Sequence, residues 1–128
     1  MIMVHPEHPL AKEPSVDIDQ LRDETLFMPQ PSYSLYFYLE KLFEESRLPV
    51  PDGNAYSYLM SEQMAAKGLG VAFTSSHLAR NDALDICYVP IRNFCHPWVF
   101  RLYWRKNRTF TEDELVLKNF VESYYRKC

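Results

Sequence analysis

The sequence predicts an α/β fold with a mainly parallel sheet flanked by helices, and three segments carry this prediction. One is a helix signal over residues 56–67 that stops on a glycine and leads at once into the apolar run Val71–Phe73. Another is a strand candidate at 25–28 with a helix signal over 32–46 behind it. The third is an amphipathic segment over 111–126. Short apolar strands that alternate with amphipathic helices are typical of βα units, whose strands run parallel.

The first 24 residues contain several prolines, and each proline favours an extended backbone at the residue before it. This part is therefore predicted to be a connection, with one helical turn over 16–24. The strand candidate at 25–28 ends at Pro29. Ser32 is then placed to cap a helix that runs to about Ser46.

The central unit begins with a brief strand candidate at 54–56, after which Ser57 can cap a helix. Gly68 suits the left-handed position that ends a helix, and Leu69 would then touch Met64 as in a Schellman end. The glycines around Leu69 are therefore interpreted as a helix stop and not as a phosphate-binding loop.

Two further strands and one helix are predicted downstream. Residues 85–89 form a strand candidate. Residues 98–105 alternate apolar and polar side chains, as expected of an antiparallel strand with one solvent-exposed face. Thr111 and Glu114 have the spacing of a capping box at the start of the last helix. Its apolar stripe, predicted to lie on a sheet while Lys118 and Glu122 face water, consists of Leu117, Phe120, Val121 and Tyr124.

Bulk properties exclude several classes of protein. With 128 residues and 47% hydrophobic side chains, the chain is one domain by size and can bury a core. A net charge of −3 argues against a nucleic-acid face, which needs clustered Lys and Arg. No apolar run approaches the ~20 residues of a membrane span and no signal peptide is recognisable, so we expect a cytoplasmic protein without membrane contact.

Catalytic and metal-binding signals are weak. No nucleophile elbow, phosphate loop, dinucleotide fingerprint or zinc-protease motif occurs, so neither enzyme activity nor a cofactor is predicted. His5 and His8 could share a metal ion, but nothing in the sequence completes the site, and no metal is predicted. The adjacent pair Cys95 and His96 is poorly placed for proton transfer.

Two groups of hydroxyls remain as candidate ligand donors. Residues 32–34 (Ser-Tyr-Ser) follow the first predicted strand, and residues 74–76 (Thr-Ser-Ser) follow the strand of the central unit. Both lie at carboxyl ends of predicted parallel strands, where N–H groups and hydroxyls can converge on a small anion. Helix capping alone would also explain either group. Their occurrence together favours a ligand sensor.

A series of motifs over nearly the whole chain resembles the effector-binding domain of LysR-type transcriptional regulators. In order, the motifs are His8-Pro-Leu-Ala11, Val16-Asp-Ile-Asp-Gln-Leu21, Asp23-Glu24, Met64-Ala-Ala-Lys-Gly-Leu-Gly-Val-Ala72 and Leu102-Tyr-Trp-Arg-Lys106, followed by the amphipathic terminal helix. Each motif is degenerate alone, but their order is fairly specific. The resemblance implies a fold similar to type 2 periplasmic binding proteins, with two α/β subdomains around a ligand cleft.

The resemblance also implies that part of such a regulator lies outside this sequence. The helix-turn-helix and the first βαβαβ segment have no counterpart here, so 25–102 is expected to be the second subdomain, with 1–24 and 103–128 as remnants of the first. Apolar surface of the terminal helix and of residues 1–4 would then be exposed. The ligand contacts implied by position are Ser32, Tyr33, Asn54, Ala55, Thr74 and Ser75, although Thr74-Ser75 replaces the usual proline.

We therefore expect the ligand-sensing part of a LysR-type regulator, which binds a small, anionic effector and reaches DNA only through a domain outside this chain. A homo-oligomer is the expected assembly. The alternative is an oligomerisation module without effector binding. A solute-binding or prephenate dehydratase-like domain is a third interpretation, disfavoured because an export signal and a catalytic motif are not recognisable in the sequence.

Overall fold

The computed structural model describes residues 1–51, 55–76, 78–79, 83–94 and 101–125. It divides the chain into two compact units, Met1–Cys95 and His96–Cys128. Within the described residues, no helix combines the length and the apolar character needed to cross a bilayer.

The first unit contains a mixed sheet of four described strands, in the order β2-β3-β1-β4. These strands are β1 (Ile2–Val4), β2 (Leu26–Phe27), β3 (Val71–Phe73) and β4 (Cys87–Val89). β2 and β3 are parallel, whereas β1 is antiparallel to both β3 and β4. Three of the described strands therefore run in one direction, and the predicted α/β class is confirmed.

The antiparallel member among the described strands is β1. Residues 101–105 form no strand, and 98–100 lie outside the described residues. β1 lies in the middle of the sheet and its three residues are fully buried. The expectation that residues 1–4 expose apolar surface is thus wrong for Ile2, Met3 and Val4, because their side chains pack into buried clusters on the sheet.

Helices α1 (Ser34–Glu45) and α2 (Tyr58–Ala66) belong to the first unit, and α3 (Glu112–Tyr125) belongs to the second. Two short 3₁₀ turns, Pro9–Lys12 and Ile18–Leu21, lie in the proline-rich segment. The predicted helices are therefore present, with α1 beginning two residues later than its sequence signal.

The two helices of the first unit begin differently. At α2, the Ser57 hydroxyl accepts a hydrogen bond from the Met60 N–H at 3.3 Å, as predicted. At α1 the N-cap is Tyr33, whose side chain caps nothing. Ser32 therefore does not cap α1, contrary to the prediction from its sequence position.

Helix α2 ends in a Schellman motif. Gly68 has a φ of 69° and donates to the Ala65 carbonyl at 2.9 Å, while the Leu69 N–H donates to the Met64 carbonyl at 3.1 Å. These two bonds satisfy carbonyls that a helix end leaves free. The chain then reverses directly into β3, which confirms the predicted helix-to-strand unit.

Gly70 permits the close pairing of β3 with the residue before β2. A Cβ atom on Gly70 would lie 2.3 Å from the Thr25 carbonyl oxygen, the same oxygen that accepts the Val71 N–H at 2.9 Å. No side chain fits at that distance without displacement of the backbone. Glycine is therefore required here by packing.

The core of the first unit surrounds the sheet. Its largest cluster of buried side chains comprises Ile2, Val4, Leu10, Val16, Ile18, Leu21, Met28, Leu39, Phe43, Leu48, Val71, Phe73, Val89 and Ile91. The proline-rich segment contributes Leu10, Val16 and Ile18 to this cluster. This segment is thus part of the packed unit and not a free connection.

One polar contact fixes the proline-rich segment beside β2. His8 Nδ1 accepts the Leu10 N–H at 3.2 Å, and its Nε2 lies 3.3 Å from the Glu24 carboxylate. An Nδ1 that accepts leaves the proton of the neutral ring on Nε2, where it donates to Glu24. His8 therefore links the proline-rich segment to the residue that precedes Thr25 and β2 through its ring nitrogens.

The second unit places α3 against the extended segment 101–110. The predicted capping box is present, since the Thr111 N–H donates to Glu114 at 3.0 Å and the Glu114 N–H donates to the Thr111 hydroxyl at 3.3 Å. Glu114 also forms an ion pair with Arg108. The Trp104 and Phe110 rings meet edge to face, with centroids 5.9 Å apart.

The orientation of α3 differs from the prediction. Lys118, expected in water, lies with its Nζ 5.0 Å from the centre of the Trp104 ring and 3.2 Å from Glu122. None of the described residues of α3 is buried, and Leu117 and Phe120 are each 62% exposed. The helix uses its polar side for contacts within the unit and leaves its apolar stripe uncovered.

Candidate functional site

The candidate site lies at the shared edge of β2 and β3, where both strands end. Leu26 pairs with Val71 and Phe27 with Ala72 in a parallel register, so the two chains leave the sheet at the same edge. A further parallel bridge joins Pro29 to Tyr56. Residues 28–33, 56–58 and 74–76 are therefore brought to one edge of the sheet.

Thr74 is held tightly at this edge. It is 1% exposed, and its backbone exchanges two hydrogen bonds with Met1, each of 3.0 Å. Its hydroxyl is 3.4 Å from the Tyr58 hydroxyl and 3.3 Å from the Ser75 carbonyl. The Thr74 hydroxyl is thus already hydrogen-bonded within the protein.

The amine of Met1, which donates to the Thr74 carbonyl, is also affected by this packing. Burial lowers the pKa of the Met1 amine to about 6.

Tyr58 and Glu62 form a polar pair beside Thr74 that the sequence reasoning missed. The Tyr58 hydroxyl lies 3.3 Å from the Glu62 carboxylate and 3.1 Å from the Leu78 carbonyl. Glu62 is only 3% exposed. Burial, reinforced by the negative charge of Glu62 and opposed by a hydrogen bond with Thr74, raises the pKa of Tyr58.

The sequence does contain a signal for this pair, because Tyr58 and Glu62 are four residues apart and so share one face of α2. Glutamate is almost never buried in proteins unless it is paired. A Tyr-to-Glu spacing of four on a helix next to an apolar stripe would have identified both residues as candidates.

Ser75 differs from Thr74 in having a buried hydroxyl without a hydrogen-bond partner among the described residues. Its carbonyl accepts the N–H groups of Leu78 and Ala79, both at 3.1 Å, so a helical turn starts at this serine. A buried polar atom without a partner costs roughly 1–3 kcal/mol unless a ligand or water completes it. At this edge, Ser75 is therefore the described residue whose hydroxyl could gain a hydrogen bond from a ligand.

The other predicted contacts are more open. Ser32 is exposed and Tyr33 is 44% exposed, and both precede the first turn of α1. That turn contains no acidic residue, so its N–H groups present uncompensated positive charge. Ala55 is exposed, and Asn54 lies outside the described residues.

The described hydrogen bonds connect Thr74 to Ser75 but connect neither of them to Ser32 or Tyr33. The strand register alone brings these two groups of residues to one edge. The arrangement offers the unpaired buried hydroxyl of Ser75, one helix N-terminus and one buried carboxylate. Such a set can bind a small polar molecule through hydrogen bonds.

A family model described as the LysR substrate binding domain matches residues 1–124 of the chain. A search of curated proteins returned no match.

Solved structures of regulators share the fold. The effector-binding domain of QuiR in complex with shikimate has a TM-score of 0.69 and 21% identity, over 98% of this chain and 60% of that one. The regulatory domain of CcmR from Synechocystis PCC6803, in complex with 2-PG, has a TM-score of 0.71 and 16% identity, over 96% and 61%. The effector-binding domain of BenM with benzoate has a TM-score of 0.64 and 21% identity, over 73% and 44%.

This chain thus spans about 60% of the length of the QuiR and CcmR domains. At these identities the likeness establishes a shared fold, and the match to the family model over residues 1–124 establishes the family. The chain belongs to the LysR substrate-binding domain family.

Proposed function

We propose that this chain is the ligand-sensing part of a LysR-type transcriptional regulator and that it binds a small, anionic metabolite at the shared edge of β2 and β3. Membership of a regulatory, non-catalytic domain family supports a sensing role. The QuiR, CcmR and BenM structures are each described with a small molecule bound. Shikimate and benzoate both carry a carboxylate, which motivates an anionic class for this chain.

The buried Ser75 hydroxyl carries the proposal. It has no partner among the described residues, whereas the neighbouring Thr74 hydroxyl is engaged by Tyr58. A ligand oxygen that accepts from Ser75 would remove the cost of this unpaired donor. This makes Ser75 a direct contact and Thr74 a residue that positions it.

Charge determines how an anion would be oriented at this edge. The buried carboxylate of Glu62 lies on the α2 side, next to Tyr58. The N-terminus of α1, which follows Ser32 and Tyr33, has no acidic residue in its first turn and attracts negative charge. A bound carboxylate would therefore point toward Ser32 and Tyr33 and away from Glu62.

The proposed division of the domain follows the family resemblance. Residues 25–102 correspond to the second subdomain, and 1–24 with 103–128 correspond to parts of the first. Asn54 and Ala55 complete the proposed ligand contacts. Effector binding would shift the population of domain arrangements and so act, in the cytoplasm, on a DNA-binding domain that is not in this sequence.

A thermal-shift titration with shikimate, benzoate and 2-PG tests the proposal. We expect at least one of them to raise the unfolding temperature, since a ligand at 100 times its Kd stabilises a protein by about 2.7 kcal/mol. The stabilisation should disappear in Ser75→Ala and fall in Ser32→Ala. Ser76→Ala is the matched control, because Ser76 is the exposed neighbour of Ser75.

Two results would contradict the proposal. One is an equal ligand-induced shift in Ser75→Ala and in Ser76→Ala, which would place the ligand elsewhere. The other is the absence of stabilisation by all three compounds at millimolar concentration in the unsubstituted chain.

A further inference from the structure

The Tyr58 hydroxyl lies between two acceptors and has one proton to donate. It is 3.1 Å from the Leu78 carbonyl oxygen and 3.3 Å from the Glu62 carboxylate. A tyrosine hydroxyl carries a single hydrogen, so it cannot donate fully to both acceptors at once. The Leu78 carbonyl and the Glu62 carboxylate therefore compete for the same proton.

The two acceptors are closely matched. Leu78 is the nearer one, but Glu62 is charged, and a hydrogen bond to an ionised group is roughly twice as strong as a neutral one. Glu62 is only 3% exposed, and among the described residues the donor to its carboxylate is Tyr58. A buried carboxylate without a donor is unfavourable, so Glu62 draws the proton away from Leu78.

Thr74 leaves the Tyr58 proton to these two acceptors. The Thr74 hydroxyl lies 3.4 Å from the Tyr58 hydroxyl and can donate to its oxygen. Thr74 is itself fixed, because its backbone exchanges two hydrogen bonds with Met1. Burial raises the pKa of Tyr58, so the phenol keeps its proton at neutral pH.

The Leu78 carbonyl belongs to a peptide group that is bonded on two sides. This carbonyl and the Ala79 N–H are parts of one planar unit. The N–H donates to the Ser75 carbonyl at 3.1 Å, while the carbonyl accepts from Tyr58. The Leu78 N–H donates to the same Ser75 carbonyl, also at 3.1 Å. A change at the Tyr58 hydroxyl therefore reaches Ser75 through a single peptide group.

We propose that Tyr58 is a positioning residue of the ligand site, and that the division of its proton between Glu62 and Leu78 sets how firmly Ser75 is held. A larger share for Leu78 orders the Ser75 carbonyl and, with it, the unpaired Ser75 hydroxyl. A donor that is already ordered loses less freedom when a ligand binds, which raises affinity. The ordering is a property of the protein without ligand, whereas its effect on affinity rests on the proposed function.

Amide hydrogen exchange, followed by NMR without ligand, tests the ordering at Ala79. Tyr58→Phe keeps the ring and removes the proton, so exchange of the Ala79 amide should become about 5-fold faster, in keeping with the loss of one neutral hydrogen bond. Glu62→Gln replaces a charged acceptor by a weaker neutral one, which shifts the proton toward Leu78. Exchange should then become about 3-fold slower.

Two controls and a double variant show whether the effect passes through the shared proton. Tyr103→Phe and Glu44→Gln make the same chemical changes at exposed positions and should leave Ala79 exchange unchanged. The double variant Tyr58→Phe/Glu62→Gln should behave like Tyr58→Phe alone, because Glu62 acts on Leu78 through the Tyr58 proton. Urea denaturation of each variant separates local opening from a change in global stability.

The effect on binding is measured separately, with whichever of shikimate, benzoate and 2-PG stabilises the unsubstituted chain. The ligand-induced rise in unfolding temperature should be smaller in Tyr58→Phe and larger in Glu62→Gln. If none of the three compounds stabilises the unsubstituted chain, the proposed function fails, while the exchange rates still decide whether Tyr58 orders Ser75.

Several results would overturn the proposal. Unchanged Ala79 exchange in Tyr58→Phe would mean that the hydroxyl does not hold this peptide group. Faster exchange in both single variants, in proportion to their losses of global stability, would leave Tyr58 and Glu62 with a purely structural role. Slower exchange that persists in the double variant would show that Glu62 acts without Tyr58. An equal ligand-induced shift in both single variants would separate the ordering of Ser75 from affinity.

Discussion

Helices α1 and α3 have similar apolar stripes in the sequence but different surroundings in the structure. In α1, Leu39 and Phe43 are 1% and 2% exposed, because they pack into the core of the first unit. In α3, Leu117 and Phe120 are each 62% exposed. The comparison teaches that helical periodicity identifies an apolar face but not its partner. A stripe becomes core only where a sheet lies beside it.

The tightest contact of the sheet should show the largest effect. Gly70→Ala introduces a Cβ atom at 2.3 Å from the Thr25 carbonyl oxygen, and we expect it to lower the free energy of unfolding by about 3–5 kcal/mol. Urea denaturation measures the loss. Gly68→Ala is the control, since its Cβ would meet only His5, at 3.7 Å, and its positive φ should cost about 1 kcal/mol. Similar losses in both variants would contradict a steric role for Gly70.

The two helices can be compared directly by truncation. Leu39→Ala removes a side chain from a closed core and should lower the free energy of unfolding by about 3 kcal/mol. Leu117→Ala removes one from an exposed face, so at low protein concentration its effect should stay below about 0.5 kcal/mol. Denaturation curves at two protein concentrations test both. A loss in Leu117→Ala as large as in Leu39→Ala would show that α3 is covered in the monomer.

The two serines before α1 and α2 should differ by a smaller amount. Ser57→Ala removes the hydroxyl that accepts the Met60 N–H, and we expect a loss of about 1 kcal/mol in the free energy of unfolding. Ser32→Ala removes a hydroxyl that caps nothing and should change stability by less than about 0.5 kcal/mol. Thermal unfolding of both variants provides the measurement. Equal destabilisation would mean that Ser32 caps α1 after all.

The smallest expected effect concerns the capping box of α3. The hydrogen bond from the Thr111 N–H, with help from Arg108, lowers the pKa of Glu114 below its usual 4.5. A carboxyl whose pKa is lower in the folded state stabilises the fold above its unfolded pKa, and this contribution is lost as the pH falls through the folded pKa. NMR chemical shifts of α3 amides should thus report fraying as the pH falls below the ordinary range of a carboxyl group. Glu114→Gln should remove most of this pH dependence. Identical titrations of both proteins would contradict the role of Glu114.

The local elements were predictable because their signals are short-range. Ser57 and Gly68 act on backbone groups three or four residues away, so the boundaries of α2 follow from its own sequence. The capping box of Thr111 and Glu114 was predictable for the same reason.

Long-range pairing was not predictable in the same way. β1 came from a segment expected to be a connection, and its burial depends on pairing with strands about 70 and 85 residues away. The tertiary structure also decided which hydroxyl is available to a ligand. The Thr74 hydroxyl forms a hydrogen bond with the Tyr58 hydroxyl, whereas the Ser75 hydroxyl has no partner among the described residues.

By itself, then, the sequence determined the α/β class, the family resemblance, both ends of α2 and the start of α3, because each depends on local backbone hydrogen bonds or on the order of motifs along the chain. Only the tertiary structure decided the central place of β1, the burial of Glu62 and the outward orientation of the α3 stripe. These features depend on which surfaces meet. Burial stabilises a side chain only when a complementary surface is present, and that is a property of the folded arrangement.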